Sequence, residues 1–157
     1  MTFTECQSIF YGSYEMIVTF CGHKDIFDND GTIRSWLTRV VENLILQGAD
    51  LFYLGGYGGF DRLAASVVWG MKRKYPGIQS VLVLPYLDKK VDAEKYDRTT
   101  YPPLETVPRR FAILKRNEWM VSEADVLVAY VLYDWGGASK TLEYAKRKKK
   151  EIISFQK

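Results

Sequence analysis

Two glycine-rich turns carry the residue types and spacing most able to do chemistry: Gly55-Gly56-Tyr57-Gly58-Gly59 and Gly136-Gly137-Ala138-Ser139. Each follows a short apolar run and opens an amphipathic stretch with helical spacing. Glycine permits positive φ and a close backbone approach, and a helix start offers unpaired N–H groups at the positive end of its dipole. One such turn is weak evidence of an anion site, but two at matching places point to a nucleotide. Around them stand other polar candidates. Asp61 lies in the first turn of the helix after the first glycine run, where it either meets a ribose hydroxyl or caps the helix. Asp134 and Trp135 precede the second pair, placed to read and stack a base or to pack the rim. Ser139, Lys140 and Thr141 follow it with hydroxyls and a charge suited to phosphate. Gly22 and His23 end the first apolar run, and His23 is the chain's only histidine, either a ligand contact or a side chain that holds the neighbouring loop.

Those residues need a scaffold, and the hydrophobic periodicity supplies one. Ile17–Phe20, Leu51–Leu54, Ser80–Leu84, Asp125–Tyr130 and Ile152–Phe155 read as short buried strands. Between them, Ile33, Leu37, Val40, Val41, Leu44 and Ile45 recur at helical spacing after the capping cluster Asp28-Asn29-Asp30-Gly31. Leu63, Ala64, Val67, Val68 and Met71 mark a second helix, Phe111 to Met120 a third, and Thr141 to Lys149 a fourth. Residues 86–108, with Pro102, Pro103 and Pro108, read as a long polar connection. About five strands alternating with four helices predict an α/β Rossmann-like domain, a doubly wound parallel sheet covered on both faces. In such sheets ligands bind beyond the carboxyl ends of the strands, where His23 and both glycine turns leave. Residues 16–157 are expected to form this domain, with 1–15 an N-terminal extension, disordered or accessory.

Composition narrows the function classes. A formal net charge of +3 is too small to indicate a duplex-DNA face, whereas 11 Tyr and 4 Trp give a surplus of rings for ligands or interfaces. Two cysteines outside any CxxC pair and one histidine leave too few ligands for a zinc site, so no metal or cofactor is expected and a cytoplasmic, reducing setting is natural. No apolar run approaches the ~20 residues of a membrane span.

From Met16 to Phe155 the sequence resembles the SLOG superfamily, the Rossmann-like grouping that holds the DNA-processing protein A core, the Lonely Guy phosphoribohydrolases and small bacterial and phage proteins. The resemblance is carried by Thr19-Phe20-Cys21-Gly22-His23, by Gly55 to Asp61, by Lys115-Arg116-Asn117-Glu118-Trp119-Met120, and by Ala124-Asp125 leading to Gly136-Gly137. The Gly-His ending is most similar to the small bacterial and phage branch. The phosphoribohydrolases carry Pro-Gly-Gly-x-Gly-Thr-x-x-Glu and a helix arginine. The resemblance therefore implies Glu143 and Arg116 as a catalytic pair, although Trp135 stands for the proline and Ser139-Lys140 for Gly-Thr.

The reading that follows is a protein that binds a nucleotide or nucleotide-derived small molecule, with phosphate at the Gly136 turn and ribose or base near the Gly55 turn. Two alternatives stand beside it. One is hydrolysis of an N-glycosidic bond in a nucleoside monophosphate, the other single-stranded nucleic-acid binding along a basic, aromatic rim. Homo-oligomers, dimers among them, are expected from the resemblance and the surplus of aromatic residues.

Overall fold

The structure, a computed structural model, describes residues 14–156. The extension expected at 1–15 therefore lies outside the described residues except for its last two. There the Tyr14 hydroxyl donates to Gln79 Oε1 at 3.4 Å, and Glu15 N–H donates to the Asp50 carboxylate at 3.1 Å, tying both residues to the sheet.

Six parallel strands form one sheet: β1 (Met16–Gly22), β2 (Ala49–Leu54), β3 (Gln79–Val83), β4 (Arg98–Thr100), β5 (Val126–Tyr130) and β6 (Glu151–Ser154), in the order β4-β3-β2-β1-β5-β6. The four helices are α1 (Thr32–Leu46), α2 (Gly59–Met71), α3 (Ala112–Glu123) and α4 (Gly137–Arg147). This is the α/β Rossmann-like architecture that the alternating pattern predicts. β4 is additional: it pairs with β3 through Val81↔Arg98 to Val83↔Thr100 inside the connection that reads as a loop. An edge strand of Arg-Thr-Thr has no apolar run to announce it.

Local chemistry explains the elements. β5 is buried along its whole length, as a central parallel strand covered on both faces must be. α1 starts where the Asp28 carboxylate accepts the N–H groups of Ile33 at 2.7 Å and Arg34 at 3.0 Å, with Asp30 taking Thr32 N–H at 3.1 Å. These bonds satisfy donors that the first helical turn leaves open. α1 and α2 pack on one face of the sheet, where Leu37, Val41, Phe52, Phe60 and Val68 are fully buried. α3 and α4 cover the other, with Val121, Leu127 and Ala145 in its core.

The chain builds outward from β1 to β4, then returns to lay β5 against the opposite edge of β1. The carboxyl ends of β1 and β5, last paired at Gly22↔Tyr130, are thus the topological switch point where a crevice opens in such sheets. Among the described residues no helix is long and apolar enough to cross a membrane, and no cluster of His, Cys, Asp or Glu is grouped to hold a metal ion.

Candidate functional site

A cavity of about 400 Å³ occupies that switch point. Its floor is the end of β1 and the residues after it, Phe20 to Asp25, and its walls come from Tyr57 and Asp61, from Ile113, Arg116 and Asn117 of α3, and from Tyr133, Trp135 to Ala138 and Thr141. Segments far apart in sequence meet there because the strand order brings their carboxyl ends together.

The two glycine turns are not equivalent. In the first, Gly59 N–H donates to the Lys24 carbonyl at 2.6 Å, Phe60 N–H to the His23 carbonyl at 3.3 Å, and Tyr57 N–H to Asp61 Oδ2 at 3.2 Å. The chain's own oxygens therefore take amides that sequence reasoning offers to a ligand. Gly58 (φ 93°) and Gly59 also let the backbone sit against Lys24, where a Cβ would come within 2.9 Å of its Cα and 2.8 Å of its carbonyl oxygen. Gly56 packs on Leu82 in the same way. None of Gly55, Gly56, Gly58 and Gly59 lines the cavity, and this turn contributes the Tyr57 ring and the Asp61 carboxylate instead.

The second turn is open. Gly136 has φ 92°, and a Cβ on either Gly136 or Gly137 would meet nothing within 4 Å. Among the described residues, the N–H groups of Gly136, Gly137, Ala138 and Ser139 have no intramolecular acceptor, and no side chain caps α4. Gly136, Gly137 and Ala138 line the cavity, so the positive end of the α4 dipole faces it with its donors unspent.

Opposite stands Arg116, 1% exposed. Nη1 donates to the carbonyls of Gly55 and Val83, each at 2.8 Å, and Nε donates to Asn117 Oδ1 at 2.8 Å. These bonds tie off the ends of β2 and β3 and hold the guanidinium plane, leaving Nη2 without an acceptor among the described residues. Among the described residues Arg116 forms no ion pair with the nearby acids Glu123 and Asp125, and Asp125 accepts Ile17 N–H at 2.8 Å. Gly55 lacks a Cβ where one would press on Asp61 Oδ2 at 2.9 Å and Arg116 Cζ at 3.1 Å, so both charged groups close over it. Burial pushes the Asp61 carboxyl up to about 6, against the pull of Arg116, the Tyr57 N–H and Arg62. Burial, with Asp61 adding to it, likewise raises the Cys21 thiol, whose Sγ donates to the Ala138 carbonyl at 3.8 Å.

His23 holds the adjoining loop. Its Nε2 accepts Leu132 N–H at 2.7 Å, so that nitrogen carries no proton and the neutral ring bears it on Nδ1. Burial lowers its pKa and favours the same form. The ring stacks on Tyr133 at 3.8 Å and 9°, and Tyr133 stacks on Trp135 at 4.2 Å and 23°, a column that runs from the buried histidine to an indole 67% exposed.

Gly22, His23, Asp61, Arg116, Trp135, Gly136, Gly137 and Thr141 are thus gathered on one cavity. Thr141 Oγ1 donates to the Gly137 carbonyl at 3.0 Å. Asp134, Ser139, Lys140 and Glu143 line an adjoining hollow instead. Glu143 and Arg116 are therefore not brought into one cavity. Thr141 and Ala145 face inward on α4, and two residues beyond Thr141 is a rotation of about 200°, which turns Glu143 outward to pair with Lys146 at 3.2 Å. Cys21 and Asn117 line the cavity without having been singled out. The signal for both was adjacency in sequence, to Gly22 at a strand end and to Arg116 on its helix.

No family model matches the chain. It is similar to a UPF0398 protein of Halalkalibacterium halodurans, 28% identical over 158 residues that cover 86% of this chain and 82% of that protein. It is also similar to an SPbeta prophage-derived protein of Bacillus subtilis, 26% identical over 140 residues that cover 73% of this chain and 81% of the relative. Among solved structures, DNA processing protein A from Helicobacter pylori, described for its single-stranded DNA binding mode, superposes with a TM-score of 0.66 at 14% identity, covering 94% of this chain and 68% of that one. The Moco carrier protein of Chlamydomonas reinhardtii superposes with a TM-score of 0.56 at 18% identity, covering 89% of this chain and 75% of that one. These likenesses to solved structures show the fold.

Proposed function

On the premise that this chain has the Rossmann-like fold of the SLOG superfamily, we propose that it binds a nucleotide or nucleotide-derived small molecule in the switch-point cavity. Phosphate sits against the open amides of Gly136, Gly137 and Ala138, and Arg116 Nη2 supplies the countercharge. The nucleoside lies toward Tyr57 and Asp61. The observation that carries this reading is the presence, in one cavity, of uncapped helix donors and a buried guanidinium with a nitrogen to spare. A buried cation and a helix N-terminus whose first amides have no acceptor both favour an anion. The volume of about 400 Å³ falls within the range of small-ligand sites.

The test is titration calorimetry with nucleoside monophosphates on the wild type, Gly137→Asp and Gly137→Ala. Open space surrounds Gly137 and its φ is not in the left-handed region, so neither substitution strains the backbone. Aspartate in the first turn of α4 suits the helix dipole and leaves stability within ~1 kcal/mol, yet its carboxylate stands where phosphate would lie. Binding should fall by on the order of a hundredfold in Gly137→Asp and far less in Gly137→Ala. Equal affinities in all three proteins would remove the phosphate from this turn.

Single-stranded nucleic acid is the second reading, favoured by rings on the rim. Tyr57, Tyr133 and Trp135 are exposed, and Tyr86 is flanked by Lys89 at 4.7 Å and Arg109 at 4.4 Å. N-glycosidic hydrolysis by Glu143 and Arg116 gains no support from the geometry, since the carboxylate and the guanidinium line different hollows.

A further inference from the structure

The adjoining hollow, about 420 Å³, shares Trp135 and Gly136 with the cavity and continues from it between α3 and α4. Leu114 and Glu118 line it from α3, and Ser139, Glu143 and Arg147 from α4, all at four-residue spacing, so its walls are two neighbouring helix rows. At 1.5 Å per residue the groove from Gly136 to Arg147 runs about 16 Å.

Three features specify what fills it. Ser139 is only 7% exposed, yet among the described residues its hydroxyl has no hydrogen-bond partner, and it lines the groove. No side-chain oxygen among the described residues is both sealed from solvent and unpaired, so this hydroxyl opens onto the groove and is free to meet a polar group of a ligand. The acids of the groove are largely spent: Glu118 pairs with Lys115 at 3.1 Å and Glu143 with Lys146 at 3.2 Å, whereas Lys140 and Arg147 have no carboxylate partner among the described residues. Two uncompensated cations against Asp134 favour an anionic guest. Finally, Tyr133 covers one face of Trp135, leaving the other to stack a planar ring.

We propose that the ligand is a dinucleotide, two nucleosides joined through phosphate. One nucleotide fills the cavity, the linking phosphate lies over the Gly136 end of α4, and the second nucleotide runs along the α3–α4 groove. The inference rests on the nucleotide reading above and extends it, since a mononucleotide in the cavity leaves Ser139, Lys140 and Arg147 unused.

Titration calorimetry with AMP, with the 5′-phosphorylated dinucleotide pApA and with a longer oligoadenylate, on the wild type and on Arg147→Glu, tests it. Arg147 is exposed on the last turn of α4, outside the cavity, and circular dichroism checks that the variant keeps its fold. The wild type should bind pApA on the order of tenfold or more tighter than AMP, the longer strand should gain nothing further, and Arg147→Glu should lose that advantage while binding AMP as before. Equal affinities of the wild type for AMP and pApA overturn the dinucleotide and leave the nucleotide site standing. No binding of either overturns both. Affinity that keeps rising with strand length overturns the two-compartment site in favour of a nucleic-acid surface, and so does an Arg147→Glu protein that still prefers pApA.

Discussion

Single residues in the crevice are under opposed demands, and pH separates them. Asp61 is the sharpest case: its carboxyl is raised from 3.8 to about 6 by burial. A group whose folded pKa lies above its unfolded value holds its proton more tightly in the fold, so its contribution to stability is complete below 3.8 and is lost as pH rises through about 6. The wild type should therefore lose on the order of 2 kcal/mol from this group between pH 4 and 7, a slope that Asp61→Asn lacks because its amide does not ionise. Urea unfolding of both proteins across that range decides the matter, and parallel profiles would show that Asp61 is not perturbed. His23 runs the other way. Its pKa is lowered by burial, so the stability it contributes is present above the unfolded value of 6.5 and is lost as pH falls through the folded one. Replacing it by Phe keeps the stack on Tyr133 but strands Leu132 N–H, and the expected loss is about 1–2 kcal/mol in thermal or urea melts above pH 7. Gly22 tolerates less still, because a Cβ there would meet the Phe60 ring at 2.3 Å. Phe60 is fully buried and backbone-anchored through His23, so Gly22→Ala should cost about 3 kcal/mol in the same measurement.

Among the elements, those with a strong apolar period were legible in the sequence and those held by polar chemistry were not. The five longer strands and four helices announce themselves because each buries a continuous run or a stripe. The capping cluster before α1 was equally readable, since Asp28 and Asp30 are residue types that compete for free N–H groups. β4 was not, because its anchors are Asp97 contacts rather than apolar side chains. Asp97 Oδ2 accepts from Ser80 N–H at 2.8 Å and from Lys72 Nζ at 2.8 Å, and Asp97 N–H donates to the Ser80 carbonyl at 2.9 Å. The difference between the two glycine turns was also hidden. Identical composition serves packing at Gly58–Gly59 and openness at Gly136–Gly137, and only the path of Lys24 decides which. Arg116 could be placed on its helix by resemblance, but its burial between the ends of β2 and β3 follows from the sheet order and not from its neighbours in sequence. Asp97→Ala should accordingly release β4 while sparing the rest of the sheet. Hydrogen exchange would speed up at Leu84, whose N–H bonds the Thr100 carbonyl at 2.8 Å, with exchange in β5 unchanged, and a global loss of protection would contradict a local anchor.

At the scale of the whole molecule, the crevice exists because the chain reverses its direction of sheet growth between β1 and β5, and this decides how a ligand must act on stability. The walls come from the β1 end, the first turn of α2, α3 and the start of α4, so anything bound there bridges both halves of the sheet and both helical layers. A ligand at a hundred times its Kd adds ~2.7 kcal/mol to the folded state, a shift in Tm readable by scanning calorimetry. Salt dependence then distinguishes a cavity ligand from a strand laid on the rim. A net charge of +3 gives little long-range attraction, and a nucleotide held at the α4 amides neutralises one or two phosphates. By analogy with single strands, where the slope is ~0.7 per phosphate, its log–log salt slope should stay near ~1, whereas an oligonucleotide tracking the Tyr86, Lys89 and Arg109 surface would show a slope several times larger. Binding of the dinucleotide measured between low and physiological salt should therefore change only several-fold. A steep slope, together with indifference to Gly137→Asp, would move recognition from the crevice to the basic face of the connection between β3 and α3.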